Sequence, residues 1–168
     1  MRKENFLFLD QVSPARLSSR ALTILHEISH MWFGDLVTMK WWKDIWLNES
    51  FAVFISYHCT EEYGHRVCFD DLWCKLFSYK EYGYEQDTQT QTHAIEINVD
   101  EASESQDNFD SITYSKGAAV LHQFVSLIGF NTFIKAIRKY LVKYQWLNAD
   151  MENLFEVIHE VLLEDNKS

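Results

Sequence analysis

The chain has 168 residues, enough for one domain with a buried core. With 47% hydrophobic and 24% charged residues and a single Pro, it is neither a disordered nor a fibrous sequence. A formal net charge of −10 argues against nucleic acid or an anionic membrane surface as a partner, and it suits a positively charged substrate as well as it suits mere solubility.

In chain order, "MRKENFLFLD" is too short and too polar for a signal peptide. Within it, "NFLFL" (5–9) reads as a short strand. Ser13 is placed to cap a helix and Pro14 to occupy its first position. That helix is expected to run through "ARLSSRALTILHEISHMWF" and to stop at Gly34. Residues 36–46 read as irregular or extended, with Trp41, Trp42 and Trp46 as a cover. A second helix carries "LNESFAVFISYHCTEEY" to Gly64, and a third covers about 66–80. The polar stretch 83–110 is expected to form a surface excursion with one short strand at "HAIEI". Three further helices follow: "SITYSKGAAVLHQFVSLI" ending at Gly129, "TFIKAIRKYLVKY" after an Asn131 cap, and "MENLFEVIHEVLLE" after Asp150. No repeat, linker or low-complexity tract interrupts them, so the expectation is a mainly α single domain.

Cys59, Cys68 and Cys74 are odd in number and form no CxxC pair, which favours a reduced compartment over a disulfide framework. No apolar run reaches the length of a membrane span. A cytoplasmic chain without membrane contact is expected, with an anchor on a longer parent left open.

The apolar run 21–54 carries groups that are costly to bury: the string H-E-I-S-H and, later, Glu49. On a helix, His26 and His30 stand one turn apart on one face, so both imidazoles can reach a single tetrahedral ion. Glu27 points to an adjacent part of that face, suited to act as general base toward a metal-activated water. A third ligand is needed, and Glu49, eighteen intervening residues after His30 on the next helix, allows a turn and a return. Two histidines and one carboxylate form a catalytic rather than a closed structural zinc set. The plainer alternative is a helix with two satisfied core histidines and a salt-bridging glutamate. His58, His65, His93, His122 and His159 have no partner spacing and read as surface or core residues.

"HEISHMWFGDLVTMKWWKDIWLNESFAVF" resembles the zinc-binding signature of the aminopeptidase N (membrane alanyl aminopeptidase) family of gluzincins, with Ser50 where glycine is common. "ITYSKGAAVL" resembles that family's tyrosine motif, which puts Tyr114 at the catalytic tyrosine's position. The resemblance spans essentially the whole chain and implies the helical C-terminal part of a thermolysin-like α+β catalytic domain, with a short N-terminal strand. On this reading residues 1–168 form a single partial catalytic domain. Its metal core lies in 13–64, and its tyrosine motif and closing helices lie in 110–164. The resemblance further implies one zinc ion on His26, His30 and Glu49, with Glu27 and Tyr114 catalytic. The substrates would be peptides with a free N-terminus, shortened one residue at a time. Tyr114 would donate to the developing oxyanion; by itself an aromatic near a helix start is usually packing. Lys116 and Gly117 are expected to shape the turn. Asn48 is expected either to orient a ligand or to cap the second helix. The family's G-x-M-E-N motif, whose glutamate binds the substrate's amine, is expected a few residues before Met1, and that role is not carried onto Glu4. Two other readings stay open: a gluzincin with epoxide hydrolase activity, and a zinc-stabilised helical module that binds peptide or partner without turnover.

Overall fold

The structure, a computed structural model, describes residues 6–7, 11–64, 72–102 and 109–165. Glu4, His65, Cys68, most of the expected strand at 5–9 and the first part of the expected third helix lie outside them.

Helix α1 (Pro14–Ser29) starts as its sequence dictates: the Ser13 hydroxyl accepts the Arg16 N–H at 3.4 Å, and Pro14 opens the first turn. It ends at Ser29, short of the expected stop at Gly34. The N–H groups of Asp35, Leu36 and Val37 reach five residues back, to the carbonyls of His30, Met31 and Trp32. This wider turn unwinds the helix just past His30, which itself keeps helical angles (φ −62°, ψ −20°). Phe33 is thereby buried and Gly34 takes φ +132°.

A two-residue strand follows, β1 (Thr38–Met39), then a tight turn over Trp42–Asp44 and helix α2 (Ile45–Gly64). α2 begins two residues before its expected start, so Asn48 lies within its first turns and caps nothing. Its flanks are apolar on every side, the pattern of a helix buried all round. Accordingly it packs against α1, against helix α3 (Leu72–Asp87), and against the segments after residue 110.

α3 runs seven residues past its expected end, through Gly83. A Cβ at Gly83 would lie 2.9 Å from the Lys116 nitrogen, so glycine here permits backbone contact between α3 and the segment around Lys116. "HAIEI" forms no strand. Among the described residues it finds no ladder, and side chains anchor this stretch instead. Lys43 holds Glu96 at 2.7 Å, Trp41 Nε1 donates to the Val99 carbonyl at 2.5 Å, and His93 meets Asp110 at 2.8 Å.

Residues Ile112–Lys116 form a π-helical turn that leads into α4 (Gly117–Ile128). After Gly129 comes α5 (Phe130–Tyr144), which takes in Asn131 as an interior residue rather than a cap. Strand β2 (Asn148–Ala149) pairs in parallel with β1, Thr38 opposite Asn148 and Met39 opposite Ala149. Asp150 then caps α6 (Met151–Asp165), its Oδ1 accepting the Asn153 N–H at 3.0 Å while Lys40 donates to Oδ2 at 2.6 Å. The core joins Phe33, Phe51, Phe54 and Phe133 from three segments with Leu154, Val157, Ile158 and Val161 of α6. No single helix among the described residues is long and apolar enough to cross a membrane.

Candidate metal centre

α1 and α2 pack side by side, and the contact brings three donor atoms together at one point. His26 Nε2 lies 3.1 Å from His30 Nε2, and Glu49 Oε2 lies 3.3 and 3.4 Å from the two imidazole nitrogens. A tetrahedron with bonds of roughly 2.0–2.1 Å has edges of about 3.3–3.4 Å, so these atoms are spaced as one face of a zinc coordination shell. Among the described residues this is the one group of three metal-ligating side chains that converges so closely. The donor set, two imidazoles and a carboxylate, is the chemistry that zinc takes with a position left open.

The tautomer fits as well. His30 Nδ1 lies 3.1 Å from the Phe33 carbonyl, which can only accept, so Nδ1 carries the proton and Nε2 keeps its lone pair. The carbonyl is available because α1 unwinds just past His30. The H-E-x-x-H string says nothing of this contact, and no pattern in the sequence signals it. Asn48, expected either to orient a ligand or to cap the second helix, lies beside Gly34, as does His30 Nδ1.

Glu49 is buried, with its Oε2 turned to the two imidazole nitrogens. Burial pushes its carboxyl up, but the imidazoles of His26 and His30 and the phenol of Tyr114 outweigh that and bring it down to about 2. The Glu49 carboxylate in turn raises the His30 imidazole against the opposing effect of burial. An ionised carboxylate among imidazoles is the state a cation requires.

Glu27 is exposed on α1, near enough to the cluster for its charge to act on the His30 imidazole. Tyr114, on the π turn, stacks its ring on His26 at 6.0 Å with an interplanar angle of 21°. Burial and then the neighbouring Glu49 charge push its phenol well above the ordinary tyrosine range, so it stays a proton donor. Beside the cluster opens a cavity of about 400 Å³ whose walls include Leu22, Thr23, Val53, Tyr57 and Tyr79 together with His26 and Tyr114. Its size and mixed lining suit a side chain or short peptide segment.

The remaining expectations sort themselves by place. Lys116 pairs with Asp87 at 2.8 Å, and Gly117 packs under Ser50, so both shape the turn. His58 stacks on Phe130 at 4.0 Å, His93 bonds Asp110, and His159 is exposed, none of them near the cluster. Cys59 is a free thiol.

Residues 1–167 match the profile of the peptidase family M1 domain. Aminopeptidase N of Streptomyces lividans is 36% identical over 167 residues, which is 99% of this chain and 19% of that protein. Aminopeptidase M1-C of Oryza sativa subsp. japonica is 37% identical over 161 residues, covering 95% of this chain and 18% of the relative. Tricorn protease-interacting factor F2 of Thermoplasma acidophilum is 41% identical over 142 residues, 84% and 18% of the two chains. The chain thus spans less than a fifth of the length of these curated relatives.

Proposed function

This chain belongs to peptidase family M1, and from that premise we propose that it carries the zinc and proton-transfer half of a metallo-aminopeptidase centre. Its substrates are peptides with a free N-terminus. His26, His30 and Glu49 hold one zinc ion per chain. What such an ion supplies, when bound, is Lewis acidity toward a carbonyl and toward water. The chain's own groups do the rest. Glu27, exposed on α1 next to His26, takes the proton of the attacking water on its carboxylate and passes it to the nitrogen of the leaving amine. Tyr114 donates its O–H to the oxygen that gains charge during attack, the kind of interaction whose removal costs most in such sites. His30 is kept in the Nε2-ligating tautomer by the Phe33 carbonyl. The cavity beside Tyr114 and His26 receives part of the peptide and keeps water from it.

The observation that carries this reading is the triangle of donor atoms with edges of 3.1, 3.3 and 3.4 Å. Its test is Glu27→Gln in a zinc-loaded full-length parent that carries this chain, assayed on aminoacyl chromogenic substrates with zinc measured in parallel. Full zinc content with turnover lowered by about 10²–10⁴-fold is expected, because the amide cannot take the proton. Unchanged turnover would remove Glu27 from the mechanism.

A further inference from the structure

Ser50 follows the proposed ligand Glu49 on α2, and Thr113 precedes Tyr114 on the π turn. The Ser50 hydroxyl donates to the Thr113 carbonyl at 2.6 Å, and both residues are fully enclosed. The same hydroxyl fills the space over Gly117: a Cβ there would lie 2.0 Å from Ser50 Oγ and 3.1 Å from Ser50 Cβ. Ser50, Thr113 and Gly117 therefore make one dry joint between the helix that presents Glu49 and the turn that presents Tyr114.

The turn has reason to need it. A π turn is wide and seldom populated, and it survives where outside contacts hold it. Here the Gly117 N–H reaches back five residues to the Ile112 carbonyl. The Thr113 carbonyl takes a donor from another helix, and a fully enclosed carbonyl that loses its donor bears the cost of desolvation. From the far side, α3 presses against the Lys116 backbone at Gly83. Released from Ser50, the turn can slide toward the α-helical register. One residue of slippage swings a side chain by about 100° around the helix axis.

We propose that Ser50 is a positioning residue: its bond to Thr113 and its packing on Gly117 hold the π turn in the register that aims Tyr114 at Glu49 and the histidine pair. The consequence for catalysis rests on the reading of Tyr114 as oxyanion donor. Ser50 touches no reacting atom and acts through Tyr114 alone.

Two measurements on the whole chain test this, using Ser50→Ala, with Ser50→Gly as the second variant should Ala perturb folding. In the metal-free chain, amide hydrogen exchange of residues 114–118 should accelerate about tenfold, the worth of one buried hydrogen bond, while α5 and α6 exchange as before. Unchanged exchange in the turn overturns the proposal. In the zinc-loaded chain, a phosphinic dipeptide, whose tetrahedral oxyanion mimics the attacked carbonyl, should bind Ser50→Ala about tenfold more weakly than wild type. In a Tyr114→Phe background the same substitution should cost nothing further. Equal losses in both backgrounds would show that Ser50 acts other than through Tyr114 and overturn the proposal. A wild-type zinc-loaded chain that fails to bind the phosphinate takes down the metal-centre reading and the catalytic role with it. The exchange result then still reads the Ser50 joint separately.

Discussion

Two buried carboxylates, Glu49 and Asp44, lie five residues apart and meet opposite environments. Glu49 faces two imidazoles and a phenol and is held at about 2 despite its burial. It is the one carboxylate among the three converging donors, so its removal should abolish the site rather than weaken it. Metal analysis of Glu49→Ala after dialysis should show zinc lost; retention of one tightly held ion per chain would sink the assignment. Asp44 is fully enclosed, and both its oxygens lack a hydrogen-bond donor among the described residues; Lys43 Nζ stands 3.9 Å off. Burial pushes its carboxyl from 3.8 up to about 6, with Lys43 opposing. The folded chain therefore binds this proton more tightly than the unfolded one. Stability is unaffected by it below about pH 4, falls as pH rises toward 6, and stays lower above. Asp44→Asn should flatten that fall, gaining roughly 1–3 kcal/mol relative to wild type at pH 7–8 and nothing comparable at pH 4. Urea midpoints across that range measure it, and parallel pH curves for the two proteins would refute it.

At the level of elements, the site depends on two non-ideal stretches, the unwinding of α1 past His30 and the π turn, and on the close approach of α3 at Gly83. The first two place backbone where a regular helix would not. The Phe33 carbonyl reaches His30 Nδ1 because α1 does not continue to Gly34. Tyr114 stacks on His26 from a turn buttressed by Ser50 on one side and Gly83 on the other. Gly83 gives a prediction whose sign is opposite to the usual one. A glycine in the interior of a helix normally gains up to about 1 kcal/mol on change to alanine. Here the new methyl would meet the Lys116 nitrogen at 2.9 Å and the Ser111 carbonyl at 3.2 Å, both backbone atoms. Gly83→Ala should therefore destabilise by about 1–3 kcal/mol, the usual range for forcing a methyl into a packed site. A thermal melt that moves upward would show that α3 and the π turn are not in contact as described.

At the scale of the whole molecule, the chain spans less than a fifth of the length of the relatives it matches. On the proposed reading it gathers metal donors, base and oxyanion donor. No anchor for the substrate's ammonium group has been placed among the described residues. Exopeptidase selectivity needs that anchor, and fixing a substrate over its catalytic groups can supply about 7–11 kcal/mol in the best intramolecular cases. The zinc-loaded chain is therefore expected to be a poor aminopeptidase. A version extended in front of Met1 by a G-x-M-E-N-bearing segment is expected to raise kcat/KM by orders of magnitude. Aminoacyl chromogenic substrates assayed on both forms decide it: comparable values would place the amine anchor within these 168 residues.

What the sequence determined by itself is local and chemical. Helical spacing puts His26 and His30 on one face, Ser13-Pro14 starts α1, and Asp150 caps α6; each follows from residues within a turn of one another. The family and the mainly helical class were legible from the signature around H-E-I-S-H and from the unbroken apolar periodicity of the later helices. Only the tertiary structure decided what depends on distant backbone. "HAIEI" has the alternation of a strand, but alternation does not supply a neighbouring strand to bond with. The two strands that form among the described residues, Thr38–Met39 and Asn148–Ala149, are two residues long and carry no periodic signal. Gly83 falls at the start of the stretch expected as a surface excursion, whereas in space it lets α3 lie against Lys116. Ser50 reads as a drift from a glycine, yet it bonds a carbonyl 63 residues later. A side chain's own chemistry travels with its letter in the sequence; the partner that satisfies it across the fold is settled only when the helices pack.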